Sequence, residues 1–99
     1  MAVRMTLTMQ VGTTDADEFI TRCRPAADYA ATVEGCLGQA ITARDLADGV
    51  TEFVITSDWT DRESFHRFET SEEQDRVTAP LAALRRSARM ELAEIGAQQ

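Results

Sequence analysis

Apolar and polar positions alternate in several parts of the chain, which predicts strands. Residues 3–11 carry Val, Met, Leu, Met and Val at every second position, and residues 88–92 repeat the alternation near the end. Such alternation gives a strand one apolar face that can pack on a core. Residues 36–45 and 51–60 are predicted to form two further strands. Asp48-Gly49 between them is typical of a tight hairpin turn.

Helical spacing of the apolar positions predicts a long first helix over about residues 15–32. Thr14 is positioned to cap its N-terminus, and acidic residues follow in the first turn. Pro25 lies inside this helix, where its ring and missing N–H favour a kink near residues 21–24 without dividing the helix. Gly35 then closes the helix in a left-handed conformation.

Two shorter helical segments are predicted in the second half of the chain. Thr60 can cap a helix over residues 61–68, and Ser71 opens another through a capping box that ends at Gln74. Pro80 is expected to split that last helix into two pieces. Residues 85–86, both arginine, suit its C-terminal end because cations favour the negative end of a helix dipole.

The predicted order is β-α-β-β-α-β, the ferredoxin-like split unit. We expect one α+β domain over residues 1–99, with helices on one face of a four-stranded antiparallel sheet and a frayed tail after Ile95. The other sheet face is uncharged at its centre, which favours burial against a second copy in a homodimer. The side chains on that face are Thr6, Thr8, Ala40, Thr42, Val54 and Thr56.

Aromatic residues concentrate in the stretch from Phe53 to Glu69. It holds three of the four phenylalanines, the only tryptophan, Trp59, and the only histidine, His66. Because aromatic surface is unfavourable in water, this cluster is expected beside the core. We expect the wall of any pocket here, between the sheet and the helices.

Composition narrows the classes of protein that the chain can represent. At 43% hydrophobic and 27% charged residues, it has the balance of a globular domain. It contains neither a long apolar run nor a basic leader, so we expect a cytoplasmic protein without membrane contact. A formal charge of −7 disfavours nucleic acid as a partner. Cys23 and Cys36 lack metal-site spacing, so we predict no metal and two buried, small apolar side chains.

Short motifs resemble the antibiotic-biosynthesis monooxygenase (ABM) family of dimeric α+β barrels. Residues 34–38, EGCLG, are similar to the family's Pro-Gly-Cys-Leu-Gly segment at the start of the second strand. Trp59 ends the third strand, and Glu63, Phe65, Phe68 and Ser71 follow with the family's spacing. The likeness in layout covers residues 3–95. It implies the dimeric barrel fold and, in the oxygenases of the family, chemistry on aromatic polyketide phenols without a cofactor.

The resemblance also carries expectations for single residues. Trp59 matches the strand-end tryptophan that lines the pocket in the polyketide oxygenases. Ile55 stands where those enzymes often have an asparagine, and Phe65 where they have a tyrosine proton donor. Phe68 occupies a position where other members have a histidine. The region around Val77 lacks the histidine ligand of the haem-degrading members, so haem is not expected.

Each candidate residue has a functional and a structural interpretation. His66 is the only side chain whose ordinary pKa lies near neutrality, so it is the candidate general base, or else a surface histidine paired with Glu69 or Glu63. Trp59 either orients a planar substrate or belongs to the core. Arg76 can bind a phenolate or lie solvated on its helix. The predicted catalytic residues are His66 and Trp59, and the predicted substrate-binding residues are Phe19, Phe53, Ile55, Ser57, Phe65, Phe68, Arg76, Leu81 and Met90.

The leading hypothesis is a small, cofactor-independent monooxygenase that oxidises an activated phenol or anthrone of aromatic polyketide (antibiotic) biosynthesis. A non-redox polyketide cyclase or isomerase on the same scaffold is the second hypothesis. A dimer that binds a small aromatic molecule without chemistry is the third.

Overall fold

The structure is a computed structural model that describes residues 1–95, so the predicted fraying after Ile95 lies outside the described residues. Its elements follow the predicted order. The strands are β1 (Val3–Gly12), β2 (Cys36–Asp45), β3 (Val50–Trp59) and β4 (Arg85–Glu94). The helices are α1 (Ala16–Thr32), α2 (Arg62–Glu69) and α3 (Glu72–Thr78), with short 3-10 turns at Thr13–Asp15 and Ala79–Leu81.

The four strands form one antiparallel sheet in the order β2-β3-β1-β4. β1 pairs with β3 so that Val3 lies opposite Trp59 and Met9 lies opposite Phe53. The buried side chains of both strands point to the face that the helices cover. The ferredoxin-like α+β fold predicted from the sequence is therefore confirmed.

The β2–β3 hairpin turns where the sequence predicts. Asp48 and Gly49 both have positive φ angles, 65° and 72°, as the tight turn between two antiparallel strands requires. Leu46 N–H donates to the carbonyl of Val50 at 2.7 Å and closes the loop. The turn holds β2 against β3 along its full length.

Helix starts differ from the sequence predictions by one or two residues. Thr14 does not cap α1, because a 3-10 turn precedes the helix and Asp15 takes the cap position without a side-chain hydrogen bond. Asp61, not Thr60, caps α2: its Oδ1 accepts the Ser64 N–H at 2.7 Å. That bond lowers the pKa of the Asp61 carboxyl. Extended backbone at Asp61 aims its short carboxylate at the open N–H groups.

Residues 85–86 do not end a helix as predicted. α3 stops at Thr78, the 3-10 turn around Pro80 follows, and both arginines belong to β4. Arg85 pairs with Val11 across the sheet, where the register shifts. Pro80 splits the predicted last helix into α3 and the 3-10 turn, and the chain after it joins the sheet edge.

The core divides into two clusters on the helix-covered face. One contains Val3, Met5, Ala30, Trp59, Phe65 and Phe68. The other contains Met9, Val11, Phe19, Cys23, Phe53 and Leu81. Leu7 is only partly buried and packs against both. The gap between the clusters, above Leu7, is where the cavities described below lie.

The edge strands are covered less than the central ones. Ile41 on β2 and Met90 on β4 point to the helix side of the sheet but stay 42% and 49% exposed. The helical layer is therefore narrower than the sheet. The helix side of the sheet is therefore partly open to solvent along both edge strands.

Candidate ligand-binding site

The first cavity, of about 320 Å³, lies between α1, the α3 region and the sheet. Sites for small molecules usually range from about 300 to 1,000 Å³ and are mostly apolar with a few polar groups. The lining fits that description. It consists of Met5, Leu7, Ile20, Cys23, Arg24, Ala26, Ala27, Ala30, Gln39, Ala40, Ile41, Ile55, Ser57, Phe68, Gln74, Thr78 and Leu81.

A second cavity of about 340 Å³ adjoins the first on the β4 side. The two share the lining residues Met5, Leu7, Phe68, Gln74 and Thr78. The remaining lining of the second cavity is more polar and consists of Phe65, Glu69, Asp75, Arg85 and Met90. Phe68 and Gln74 thus stand where the two spaces meet.

Ser57 contributes a buried hydroxyl to the first cavity. Its Oγ accepts the indole N–H of Trp59 at 2.9 Å, and the residue is 4% exposed. A hydroxyl that accepts one hydrogen bond can still donate one. Trp59 therefore fixes the position of Ser57, and the Ser57 O–H is available to a ligand.

Two other polar side chains of the lining are already partnered. Gln39 donates its Nε2–H to the carbonyl of Ala27 at 2.7 Å. Thr78 donates its hydroxyl to the backbone carbonyl of Gln74 at 2.8 Å. By contrast, the Oε1 of Gln74 is buried and has no hydrogen-bond partner within residues 1–95.

The charge of the first cavity comes from a single side chain. Of the described residues that line it, Arg24 is the only charged one, and none is Asp, Glu or His. Arg24 takes part in none of the ion pairs formed within residues 1–95. Burial raises the pKa of the Cys23 thiol to about 11, so that side chain stays neutral. The site therefore suits a neutral or weakly anionic ligand.

Six of the predicted site residues line the cavities. Ile55, Ser57, Phe68 and Leu81 line the first. Phe65 and Met90, together with Phe68, line the second. Strand alternation brings Ile55 and Ser57 to the same face, and the spacing of α2 brings both phenylalanines over it.

Three predicted site residues lie behind the cavity lining. Trp59 is fully buried against Phe68, with ring centroids 4.7 Å apart, and lines neither cavity. Phe19 and Phe53 pack on each other at 4.8 Å in the second core cluster. Their contribution to the site is support for the residues in front of them.

Two predicted site residues lie at the surface. The side chain of His66 is 72% exposed, and its Nδ1 lies 3.6 Å from Oε1 of Glu69. Arg76 pairs with Glu73 three residues earlier on α3, and this contact lowers the pKa of the Glu73 carboxyl. Neither residue lines a cavity. A catalytic role for His66 and a binding role for Arg76 stay predictions.

The sequence prediction did not include the polar lining from the helices. Cys23 and Arg24 on α1 and Gln74 and Thr78 on α3 face the first cavity. A signal for Gln74 exists in the sequence: it precedes Val77, Thr78 and Leu81 at helical spacing. A polar residue on an otherwise apolar stripe is a candidate for a buried polar contact.

Metal-binding groups and helices able to span a membrane are both absent from residues 1–95. Within residues 1–95, no three His, Cys, Asp or Glu side chains come together as a metal-binding group. No helix in that part of the chain combines the length and hydropathy that crossing a bilayer requires.

The fold and the site define a small α+β domain with an apolar, mainly uncharged cavity between sheet and helices. The sequence agrees with one family of this kind. The family model for antibiotic biosynthesis monooxygenase matches residues 2–79, well over half of the chain. The chain belongs to the antibiotic biosynthesis monooxygenase family, as its short motifs predict. No curated protein matches it.

Solved structures extend the likeness to the whole fold. A mutant of SnoaB, a cofactor-independent oxygenase from Streptomyces nogalater, superposes with a TM-score of 0.80 at 21% identity, covering 99% of this chain and 94% of that one. A conserved protein from Methanosarcina mazei gives 0.82 at 17% identity, with 96% and 93% covered. A Deinococcus radiodurans protein assigned provisionally to the same family gives 0.79 at 20%, with 95% and 92% covered. At these identities the likeness supports the fold.

Proposed function

We propose that this protein is a cofactor-independent monooxygenase that oxidises an activated phenol or anthrone of the aromatic polyketide type in the first cavity. The observation that carries the proposal is the cavity itself: about 320 Å³, mostly apolar, with one cation and no acidic side chain among the described lining residues. A flat, apolar, acidic molecule fits such a space. Family membership and the likeness to SnoaB support the reaction type.

The proposed reaction takes its electrons from the substrate. An anthrone loses a proton from its central CH₂ group, and the carbanion transfers electrons to dioxygen. One oxygen atom of O₂ becomes the new carbonyl of the quinone and the other leaves as water, with both CH₂ hydrogens. The protein contributes binding, orientation and stabilisation of the anion.

Arg24 is the proposed stabiliser of that anion. Arg24 is an exposed residue among those that line the first cavity, and it has no carboxylate partner among the described residues. Arginine offers a fixed set of N–H donors to an enolate or phenolate oxygen. A positive charge there lowers the pKa of the bound substrate, which raises the fraction of the reactive carbanion.

The proton acceptor is solvent or His66. No histidine or carboxylate lines the first cavity within residues 1–95, so a base on the protein has to act through water. The rate should then rise with pH as the substrate ionises. A His66→Ala variant tests the histidine: a fall in rate supports a base that reaches the cavity through water, and an unchanged rate leaves deprotonation to solvent.

A non-redox cyclase or isomerase is the second candidate function, and the hydrocarbon at two site positions favours it. Ile55 lines the first cavity and Phe65 the second, where the polyketide oxygenases have polar groups. A cavity without a proton-transfer group can fold a reactive chain by shape. Binding without any chemistry is the remaining alternative.

We also propose that the protein forms a homodimer through the sheet face opposite the helices. The centre of that face is uncharged and carries threonines and Val54, which stay partly exposed in one subunit. Two ion pairs on that face lie within the subunit, Arg4 with Asp58 and Arg44 with Glu52, and Arg89 and Glu91 of β4 add one charge of each sign beside the centre. The uncharged centre of this face can pack on its own copy without burying an unpaired charge.

The test is to incubate the purified protein with anthrone under ¹⁸O₂, follow oxygen uptake and measure product mass. Oxygenation incorporates one labelled atom into the quinone. Arg24→Gln should slow turnover by about tenfold, because one anion-stabilising contact is lost at an exposed position where solvent weakens it. Arg67→Gln removes an exposed arginine of α2 that pairs with Glu63, and it is the matched control. Uptake no faster than in buffer would contradict the proposal and leave cyclisation or binding as the alternatives.

A further inference from the structure

Gln74 carries a buried acceptor that no other described residue uses. The Oε1 of its side chain is buried and has no partner within residues 1–95. Gln74 is also one of the residues that line both cavities. A buried acceptor without a partner is unfavourable, so a group that satisfies it contributes to binding.

The local role that the sequence predicts for Gln74 is already filled. In a capping box, Gln74 would reach back to the backbone N–H of Ser71. That N–H instead donates to the carbonyl of Phe68 at 3.2 Å. The other half of the box forms, because the Ser71 Oγ accepts the Gln74 N–H at 3.2 Å. The N-terminus of α3 is therefore closed without the Gln74 side chain.

Apolar side chains share the lining of both cavities with Gln74. Met5, Leu7 and Phe68 line both cavities beside it. Thr78 directs its hydroxyl to the Gln74 backbone carbonyl, not to the side chain. No described residue donates to Oε1, so a donor on a molecule bound beside Gln74 would complete its hydrogen bonding.

We infer that Gln74 is a specificity-determining residue that accepts a hydrogen bond from a hydroxyl group on the ligand. The cavity then selects a planar apolar molecule with a free O–H over the same molecule with that oxygen methylated. A methyl ether would leave Oε1 unpaired and would add a methyl group beside it. The inference rests on the proposed function, since it assigns the same cavity to the ligand.

The test compares two probes, 1-naphthol and 1-methoxynaphthalene, by equilibrium dialysis against the full chain. The ether is the more apolar probe, so a purely apolar cavity would prefer it. We expect the protein to bind the naphthol about tenfold more tightly, because only the naphthol satisfies the Gln74 acceptor. A wild type that does not prefer the naphthol would contradict the inference, whether or not a variant folds.

Two variants of Gln74 separate the role of its oxygen from its size. Gln74→Met keeps the length and removes the acceptor, so the preference should vanish or reverse. Gln74→Glu keeps acceptor oxygens and loses the NH₂ group, so the preference for the naphthol should remain. Glu72→Met makes a similar change at an exposed position in the first turn of α3 and should keep the wild-type preference.

Several results would overturn the inference: no preference in the wild type, no binding of either probe, an unchanged preference in Gln74→Met, or a lost preference in Gln74→Glu. The last result would mean that the amide donates. The measured preference between the two probes does not depend on whether the protein oxygenates a substrate. A protein that prefers the naphthol but consumes no oxygen with anthrone would refute the proposed function and support the role of Gln74.

Discussion

Gly35 has a backbone conformation that residues other than glycine rarely adopt. Its φ is 97°, and a Cβ added there would lie 2.6 Å from Cβ of Ser64 on α2. The Gly35 carbonyl also accepts the Thr60 N–H at 2.9 Å, which ties the start of β2 to the end of β3. This residue lies in the EGCLG segment by which the sequence resembles its family. Close approach of two chain segments therefore explains the glycine of that segment.

Gly35→Ala is predicted to destabilise the fold by at least about 2 kcal/mol, from backbone strain and the clash with Ser64. Urea unfolding at fixed protein concentration measures the change. Gly38→Ala is the control, because an added Cβ there has nothing within 4 Å. Equal stabilities of the two variants would contradict the assignment.

At the scale of elements, an ion pair joins β1 to β3 on the outer face of the sheet. Arg4 donates two hydrogen bonds to the carboxylate of Asp58, at 2.7 and 2.9 Å. The guanidinium holds the pKa of Asp58 below its ordinary value of 3.8. A lowered carboxyl pKa stabilises the folded state above the ordinary value, and this contribution is lost as pH falls through the lowered pKa.

Asp58→Asn is predicted to make unfolding less sensitive to acid. Between about pH 6 and about pH 3 the wild type should lose more stability than the variant, because only the wild type loses the carboxylate contribution. Asp28→Asn, at an exposed position of α1 outside the ion pairs described here, is the control. Parallel pH profiles for wild type and Asp58→Asn would refute the role of the pair.

The sequence predicts strands better than it predicts helix starts or the site. β2 has the predicted bounds because alternation ends sharply at a glycine on one side and a hairpin turn on the other. The start of α2 was misplaced by one residue, since Thr60 and Asp61 are both good caps and only the chain path selects Asp61. The local sequence does not distinguish Thr60 from Asp61 as the N-cap of α2.

The difference between local and long-range signals also separates the site residues that the sequence predicted from those that it missed. Ile55 and Ser57 follow from strand alternation, which fixes the face of each residue. Whether Arg24 and Gln74 face the cavity depends on how α1 and α3 are rotated over the sheet. Long-range packing determines that rotation. Trp59 was predicted as a wall or as core, and Phe68 from α2 lies against it. Its neighbour Ser57 reaches the cavity in its place.

At the scale of the whole molecule, the proposed dimer depends on the centre of the outer sheet face. Thr56 lies there between Thr6 on β1 and Ala40 on β2. Light scattering after size exclusion should give twice the chain mass of 10.9 kDa for the wild type. Thr56→Arg should give the single-chain mass, because two facing guanidinium groups would be buried without partners. Asp28→Arg, at an exposed position of α1, is the control and should leave the dimer intact.

A monomeric wild type, or a Thr56→Arg protein that remains a dimer, would show that this face is not the interface. Circular dichroism of the variant separates loss of the dimer from loss of the fold. The cavities lie on the opposite, helix-covered side of the sheet, so the variant should still bind a ligand.

We propose above that an anthrone reacts with dioxygen in the first cavity. Oxygen uptake by wild type, Ala26→Trp and Ala31→Trp tests it most directly. Ala26 on α1 lines the cavity, whereas Ala31 on the same helix is exposed and lines neither cavity. The wild type and Ala31→Trp should consume oxygen with anthrone, and Ala26→Trp should lose most of that uptake because its indole fills the cavity. Wild-type uptake no faster than in buffer, or undiminished uptake by Ala26→Trp, would contradict the claim.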